Sequence, residues 1–221
     1  MLNYLIKGGP VMIPIVLCSI AAGTLVIIQW LRILEASQNH SDTRNQIRQS
    51  IQRRDWSRVL QIMDQYDHPF LNAWRTGFSL LAEGKNNLHD VQEVTSIECE
   101  KLIAKLESAL TPLGAIAAVL PMLGFLGTII GLILSFQSWE QMGTQISISS
   151  LSGGIYQAMI TTAAGLITAI PYYFFHHYFA ARCHGIALNL SSETTELLRL
   201  TKETLLREAS VDSAAFMNTA L

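Results

Sequence analysis

The chain has 221 residues, half of them hydrophobic and only 14% charged, and its mean hydropathy is positive. It is more apolar and less charged than an ordinary soluble domain, so a membrane protein is the first interpretation. The net charge of -2, without a basic cluster, argues against nucleic acid as a partner. The three cysteines are far apart and lack metal-ligand spacing, so we expect no disulfide framework, no zinc site and no other cofactor.

The first apolar run covers residues 11–30, which is about the length that a helix needs to cross the hydrocarbon core of a bilayer. A cleaved signal peptide is the alternative. However, the run is too long for the apolar region of such a peptide, and no small-residue cleavage site follows it. We therefore predict a transmembrane helix at 11–30, preceded by a short segment at 1–10.

Two further runs are long enough to span a membrane. No formal charge occurs between Glu107 and Glu140, and residues 110–136 are predicted as the second transmembrane helix, with a bend at Pro121. Residues 154–181 contain no Lys, Arg, Asp or Glu and are predicted as the third. The sequence thus predicts an all-α, polytopic membrane protein with three transmembrane helices.

Positive charges near the spans predict the orientation. Arg32 follows the first span, Lys101 and Lys105 precede the second, and Arg182 follows the third, whereas the connector at 137–153 has no Lys or Arg. Because positive charge is retained on the cytoplasmic side, we expect the connector and the amino terminus outside and the carboxyl terminus inside.

The two predicted cytoplasmic parts, residues 31–109 and 182–221, carry helical patterns. Apolar residues at helical spacing form one pattern in the first part: Ile47, Ile51, Val59 and Met63. Its predicted end is at His68, and a short helix is predicted at 69–82, closing at Gly84.

A longer helix is predicted to begin at Asn87, which together with Asp90 resembles an N-cap with an acidic third residue. Apolar residues then recur at helical spacing into the second span, so we predict one helix of about 50 residues. Leucines also keep helical spacing beyond the third span. Two of the three transmembrane helices are therefore expected to extend into a cytoplasmic helical bundle, which favours assembly of several copies.

Small and hydroxyl-bearing residues lie on one face of each of the last two spans. On the second span this face comprises Gly124, Gly127, Thr128, Gly131 and Ser135. On the third span it comprises Gly154, Ala158, Thr161 or Thr162, Gly165, and Thr168 or Ala169. Such faces let another backbone approach closely.

The threonines on these faces allow two interpretations. Each hydroxyl can bond a carbonyl of its own helix, which requires no function. Alternatively, the threonines line a hydrated cavity or touch a polar residue of another chain. Pro171 supports the second interpretation, because it removes the helical donor for the Ile167 carbonyl.

The cores of the spans contain no Asp, Glu, Lys or Arg, so this chain cannot carry a proton through the membrane alone. His176 and His177 lie at the cytoplasmic end of the third span, where interfacial snorkelling and a relay or gating role are the alternatives. The sequence has no nucleophile–base pair, paired carboxylates or metal cluster, so we do not expect an enzyme.

The segments LPMLGFLGTIIGLILSF and GGIYQAMITTAAGLITAIP resemble the two signature segments of the MotA/TolQ/ExbB proton-channel family, and the three-span layout is similar to its TolQ/ExbB branch. The resemblance implies a multi-pass homopentamer in the bacterial inner membrane, with a periplasmic amino terminus and with membrane lipids around it. It also implies a central dimer of a single-span ExbD/TolR-like partner, whose membrane aspartate binds the proton. The transported ion is H⁺ or Na⁺.

Residue roles follow from the same resemblance. Thr128 and Thr162 match the pore threonines of the family, and Thr161 stands where alanine is frequent. The candidates for the ion pathway are Thr128, Thr162, Thr161, Ser135 and Gln157. The candidates for the packing framework are Gly124, Gly127, Gly131, Gly165 and Pro171.

Two positions depart from the family pattern. Gln157 stands where many ExbB and TolQ chains have a glutamate, which puts an outer carboxylate in the ion route in doubt. His176 and His177 replace a frequent Tyr-Asn pair.

Two functions are compatible with these observations. The leading hypothesis is a channel (stator) subunit of a motor that couples inward ion flow to transport or envelope work, with a TonB/TolA-like envelope protein as the energised partner. The alternative is a non-conducting membrane scaffold that uses the small-residue faces only for assembly.

Overall fold

The computed structural model of the chain describes residues 7–37, 41–66, 68–84, 87–142 and 148–219. Its helices are α1 (Met12–Ala36), α2 (Ser41–Gln52), α3 (Trp56–Gln65), α4 (Pro69–Ala82), α5 (Leu88–Glu107), α6 (Leu110–Met142) and α7 (Ile148–Thr219). No strand occurs in these ranges, and three helical segments are long and apolar enough to cross a membrane. The predicted all-α membrane fold is therefore confirmed.

The chain divides into two compact units. The membrane unit comprises Met1–Trp30 and Ser108–Ala180, and the polar unit comprises Leu31–Glu107 and Ala181–Leu221. These divisions fall within two residues of the predicted inner ends of the three spans.

The membrane unit has its own apolar core, formed where α1 packs against α6 and α7. The buried members of this core are Val11, Met12, Ile15, Leu120 and Ala169. Large apolar side chains also point outward: Ile13 is 65% exposed, Met122 67% and Ile167 70%. Exposed apolar surface of this extent is typical of helices that face lipid or other membrane helices.

The junction between α5 and α6 differs from the prediction of one long helix. The structure has a turn at Ser108 and Ala109, and α6 begins after it, with the Leu113 N–H donating to the Ala109 carbonyl at 3.3 Å. Pro112 explains the interruption, because it has no N–H to donate to the Ser108 carbonyl.

The helical pattern predicted to end at His68 also proves to be two helices, α2 and α3. Arg54 between them has a φ of 59°, a left-handed conformation that ends a helix. The Asp55 side chain then caps α3 by accepting the N–H of Arg58 at 2.9 Å.

The short helix and the start of the long one are confirmed. α4 covers Pro69–Ala82, and Gly84 follows it with a φ of 80°. Asn87 caps α5, since its side-chain oxygen accepts the N–H of His89 at 3.1 Å.

The polar unit has an interior in which polar contacts tie α7 to α2 and α4. The Trp74 Nε1–H donates to the Thr194 hydroxyl at 2.8 Å, and Thr194 donates to the Leu190 carbonyl at 2.7 Å. On the α2 side, Arg48 pairs with Glu196 at 2.6 Å. The buried Trp74–Thr194 bond fixes which residues of α4 and α7 face each other.

Most of the predicted connector at 137–153 lies in α6 and α7. α6 continues to Met142 and α7 starts at Ile148, so the described residues of the connector are helical. Residues 143–147 lie outside the described residues, as do residues 1–6 of the predicted amino-terminal segment.

Candidate functional site

The glycine-rich faces of α6 and α7 pack against each other within one chain. A Cβ built on Gly165 would lie 2.7 Å from the Leu120 carbonyl oxygen and 3.0 Å from the Gly124 Cα. A Cβ on Gly131 would lie 2.7 Å from the carbonyl oxygen of Gly154. Backbones this close have no room for side chains, so these glycines are required for the contact between the two helices.

Thr161 is enclosed in this contact. Its side chain is fully buried, and its hydroxyl donates to the Ala158 carbonyl at 2.9 Å and the Gln157 carbonyl at 3.2 Å. A Cβ on Gly127 would overlap the Thr161 side chain, so Gly127 supplies the space that Thr161 fills. Thr161 therefore contributes to packing between two helices of the same chain.

The Thr162 and Thr128 hydroxyls bond neighbouring carbonyls of α6. The Thr162 hydroxyl donates across the helix pair to the Gly124 carbonyl at 3.2 Å. Within α6, the same carbonyl is the helical acceptor for the N–H of Thr128, four residues later. The Thr128 hydroxyl donates to the Phe125 carbonyl at 2.5 Å. Both side chains are only half-buried, unlike that of Thr161.

The local interpretation holds for three of the threonines, whereas a hydrated cavity or a contact with another chain stays a prediction. Thr128, Thr161 and Thr168 donate to carbonyls of their own helices, as the local interpretation predicts. Thr162 donates to another helix. Ser135 is buried, with its hydroxyl 3.1 Å from the Gly131 carbonyl, and lies where a Cβ on Gly154 would overlap it.

A contact that the sequence does not predict joins α1 to α7 beside Pro171. The Tyr172 hydroxyl donates to the Ser19 carbonyl at 2.8 Å and lies 3.0 Å from the Ser19 hydroxyl. In the sequence, the signal for this contact is the presence of two polar residues, Tyr172 and Ser19, within apolar spans. Pro171 itself is exposed and lies inside α7, where it gives no N–H to the Ile167 carbonyl.

His176 and His177 have different surroundings. The His176 imidazole packs against α6 where Gly114 lacks a side chain, since a Cβ there would lie 2.8 Å from Nε2. His177 is exposed, and its ring lies 4.4 Å from that of Tyr173 and 5.1 Å from that of His176. Aromatic residues are concentrated at this level, as at membrane–water interfaces.

Gln157 lies one turn of α7 before Thr161, toward the predicted connector at 137–153. Its side chain is half-buried and contacts Gly9 in the turn that precedes α1. Together, the helix pair holds the half-buried threonine hydroxyls of Thr128, Thr162 and Thr168 in spans that contain no carboxylate. Such an arrangement can stabilise a hydrated ion or an acid from another chain, but it has no titratable group of its own for a proton transfer.

Comparisons with known proteins agree with this architecture. The sequence profile of the MotA/TolQ/ExbB proton channel family matches residues 62–192. The chain is 26% identical to the biopolymer transport protein ExbB of Neisseria meningitidis over 179 residues, which are 75% of this chain and 80% of that protein. It is 24% identical to the ExbB protein of Pseudomonas putida, over 94% of this chain and 64% of that protein.

A shorter match is closer in sequence. Over 64 residues the chain is 42% identical to the biopolymer transport protein exbB1 of Vibrio cholerae, which is 29% of this chain and 28% of that protein. The family profile covers more than half of the chain. With its three membrane-spanning helices and paired glycine faces, the chain belongs to the MotA/TolQ/ExbB proton channel family.

Proposed function

We propose that the chain is the ion-channel subunit of an inner-membrane motor that couples the proton motive force to transport or envelope work. Family membership supports the channel part, and the name of the relatives, biopolymer transport protein, supports the transport part. In this proposal a homopentamer with a periplasmic amino terminus surrounds an ExbD/TolR-like single-span partner. A TonB/TolA-like protein receives the energy, and H⁺ or Na⁺ is the transported ion.

The observation that carries the proposal is the bond of the half-buried Thr162 hydroxyl to the Gly124 carbonyl of α6, with the half-buried Thr128 one helical turn further along α6. The Thr162 hydroxyl lies 3.2 Å from that oxygen, and both threonine side chains remain partly accessible. A hydroxyl in an apolar span can exchange its intrachain bond for a bond to water or to a foreign polar group at little net cost. These properties support a role for both residues in the ion pathway.

The acid that changes its protonation state belongs, in this proposal, to the partner. The three predicted spans of this chain contain no Asp or Glu. A partner carboxylate surrounded by hydroxyls and a few water molecules can change its charge without leaving an isolated ion in hydrocarbon.

The other candidates take supporting roles. The enclosure of Thr161 and Ser135 supports a packing role for both in place of the predicted pathway role, together with Gly124, Gly127, Gly131 and Gly165. His176, wedged against Gly114, and the adjacent His177 are proposed as a relay at the inner end.

A non-conducting scaffold is the second candidate function, and one observation favours it. The glycine faces are used between helices of the same chain, and this packing needs no ion. The channel and the scaffold differ in their need for the Thr162 hydroxyl. A channel needs this hydroxyl along the ion pathway, whereas a scaffold needs the Thr162 side chain only for packing.

Replacement of Thr162 by valine tests the proposal, because valine keeps the shape of threonine and removes the hydroxyl. We expect ion uptake by vesicles that contain the chain and its co-purified partner to fall about tenfold, with assembly unchanged, since a hydrogen bond to a charged group is lost. The matched control is Thr195→Val, because Thr195 is exposed in the polar unit. Undiminished uptake and envelope function with Thr162→Val, alone and with Thr128→Val, would favour the scaffold.

A further inference from the structure

Three of the four positive charges that predict the orientation of the chain line one cavity in the polar unit. They are Arg32 near the end of α1, and Lys101 and Lys105 near the end of α5. The cavity has a volume of about 400 Å³, which is within the range of ligand pockets. The Arg32 Nη1–H donates to the Lys105 carbonyl at 3.1 Å, so the ends of the two helices meet at this cavity.

The cavity lies at the predicted membrane surface. Arg32 follows the last residue of the first predicted span by two positions, and Lys105 precedes the first residue of the second by five. At the usual helical rise these steps are about 3 Å and 7.5 Å, which is about the depth of one layer of lipid headgroups. Both long side chains therefore reach the level of the lipid phosphates. With the predicted orientation, these phosphates belong to the inner leaflet.

The lining of the cavity has a small excess of positive charge. Two acidic residues also line it, Glu35 of α1 and Glu98 of α5, and Glu98 forms a salt bridge of 2.7 Å with Lys101. The residues that α4 contributes to the lining are uncharged. Three positive and two negative charges therefore leave the lining with a net charge of +1.

The other two acidic residues near the end of α5 face away from the cavity. Glu100 and Glu107 lie about 140° and 160° around the helix from Lys105. A group with one negative charge therefore complements the lining, whereas a zwitterionic group brings no net charge to it. Among such groups, phosphate is the one that Arg and Lys bind through charge-assisted hydrogen bonds.

We propose that this cavity binds the headgroup of an anionic phospholipid that carries one negative charge, such as phosphatidylglycerol. The phosphate bonds Arg32 and Lys105, and the acyl chains of the lipid stay in the bilayer. Basic pockets at the cytoplasmic ends of membrane helices are suited to such headgroups. The bound lipid links α1 to α5 at the membrane surface. This inference goes beyond the proposed function and does not depend on it, because it needs no ion pathway.

Lipid binding is tested by native mass spectrometry of the full chain in a neutral detergent, with phosphatidylglycerol and phosphatidylethanolamine of identical acyl chains. We expect phosphatidylglycerol to bind about fivefold more tightly, and Lys105→Gln to weaken its binding about fivefold. Arg182→Gln is the matched control, because Arg182 directly follows the third predicted span but does not line the cavity. It should change the affinity less than about twofold. Equal losses in both variants would show a non-specific attraction and overturn the site.

Glu35→Gln separates the effect of charge from damage to the fold. It removes a negative charge from the lining, so it should raise the affinity for phosphatidylglycerol about threefold, whereas a disturbed cavity would lose affinity. An unchanged or lower affinity would contradict the charge complementarity. A wild-type chain that prefers phosphatidylethanolamine would show that the carboxylates bind the ammonium group of that lipid, and it would overturn the inference.

The position of the headgroup is tested with Asn72→Cys in a Cys18→Ser background, because residue 72 lines the cavity and is exposed, whereas Cys99 and Cys183 are buried. At about twice its Kd, phosphatidylglycerol should slow the reaction of this cysteine with an uncharged maleimide about threefold. Ser192→Cys, exposed on α7 of the same unit, is the control and should react at an unchanged rate. Equal slowing at both positions would place the lipid elsewhere. Protection by inorganic phosphate alone would show a site for free phosphate and contradict the lipid.

Discussion

Thr161 and Thr162 are adjacent in the sequence, but about 100° of helix rotation separates their side chains. This separation places Thr161 in the tight contact with Gly127, where it is fully buried. It leaves Thr162 at the edge of the contact, bonded to Gly124 and partly accessible. Two chemically identical side chains therefore have different roles: one fills space, and the other offers a hydroxyl.

A second pair of adjacent threonines, in the polar unit, allows a direct test of how burial determines the value of a hydroxyl. Thr194 is buried and accepts the Nε1–H of Trp74 at 2.8 Å, whereas Thr195 is exposed. Thr194→Val leaves the indole donor buried without that acceptor, which we expect to lower the free energy of unfolding by about 1–3 kcal/mol. Thr195→Val, measured in the same urea titration, should change it by less than about 0.5 kcal/mol. Equal effects would show that the Trp74–Thr194 bond does not stabilise the polar unit.

The same unit buries Cys99 beside Thr194, with 3.5 Å between sulfur and hydroxyl oxygen. Burial, more than any neighbouring charge, raises the pKa of the Cys99 thiol. The folded state therefore favours the neutral thiol. This contribution to stability is present below the ordinary thiol pKa of 9.0 and is lost as the pH rises through the higher pKa of the folded state.

At the scale of elements, the pairing of α6 with α7 depends on glycines, because they have no side chains to separate the two backbones. A Cβ at Gly127 would overlap Thr161, and α7 cannot move away without losing the neighbouring contacts at Gly124 and Gly131. The stripe of glycines thus holds two long helices together by close backbone packing.

Gly127→Ala tests this pairing. We expect it to destabilise the protein by about 1–3 kcal/mol through overpacking, seen as a lower Tm in detergent. Gly153→Ala introduces the same methyl group where nothing lies within 4 Å, and it should leave Tm unchanged or slightly raised by the better helix propensity of alanine. A Gly127→Ala variant as stable as Gly153→Ala would mean that the two helices do not approach closely at this point.

The elements could be predicted where a single local rule determines them. The spans follow from apolar length, and the ends of α4 and α5 follow from Gly84 and Asn87. The breaks at Arg54 and before Pro112 were missed, because apolar spacing continues across them. Pro112 was a usable signal, whereas the positive φ of Arg54 was not, since arginine has no preference for it.

The sequence predicts which residues form the candidate site, but it does not predict which helix packs against them. Residue spacing indicates which face of a helix carries Gly124, Gly131 and Thr162. It does not indicate whether the partner of that face is in the same chain or in another. In the structure the glycine-rich faces of α6 and α7 pack against each other within the chain. Fewer hydroxyls are therefore available to a partner than the residue spacing indicates.

At the scale of the whole molecule, the chain supplies a rigid, glycine-packed wall with a few hydroxyls and no acid in its predicted spans. In the proposed function, the carboxylate that binds the proton therefore belongs to a second chain and lies next to that wall. This division keeps the titrating group on one component and the hydrogen-bonding surface on the other.

A structure of the complex purified with its partner from the native membrane tests this claim most directly. The account predicts that Thr162 and Thr128 face a partner helix, with the partner's carboxylate within reach of a hydroxyl directly or through one water molecule. Thr162 and Thr128 packed against lipid chains, or sealed in a dry contact between copies of this chain, would contradict it.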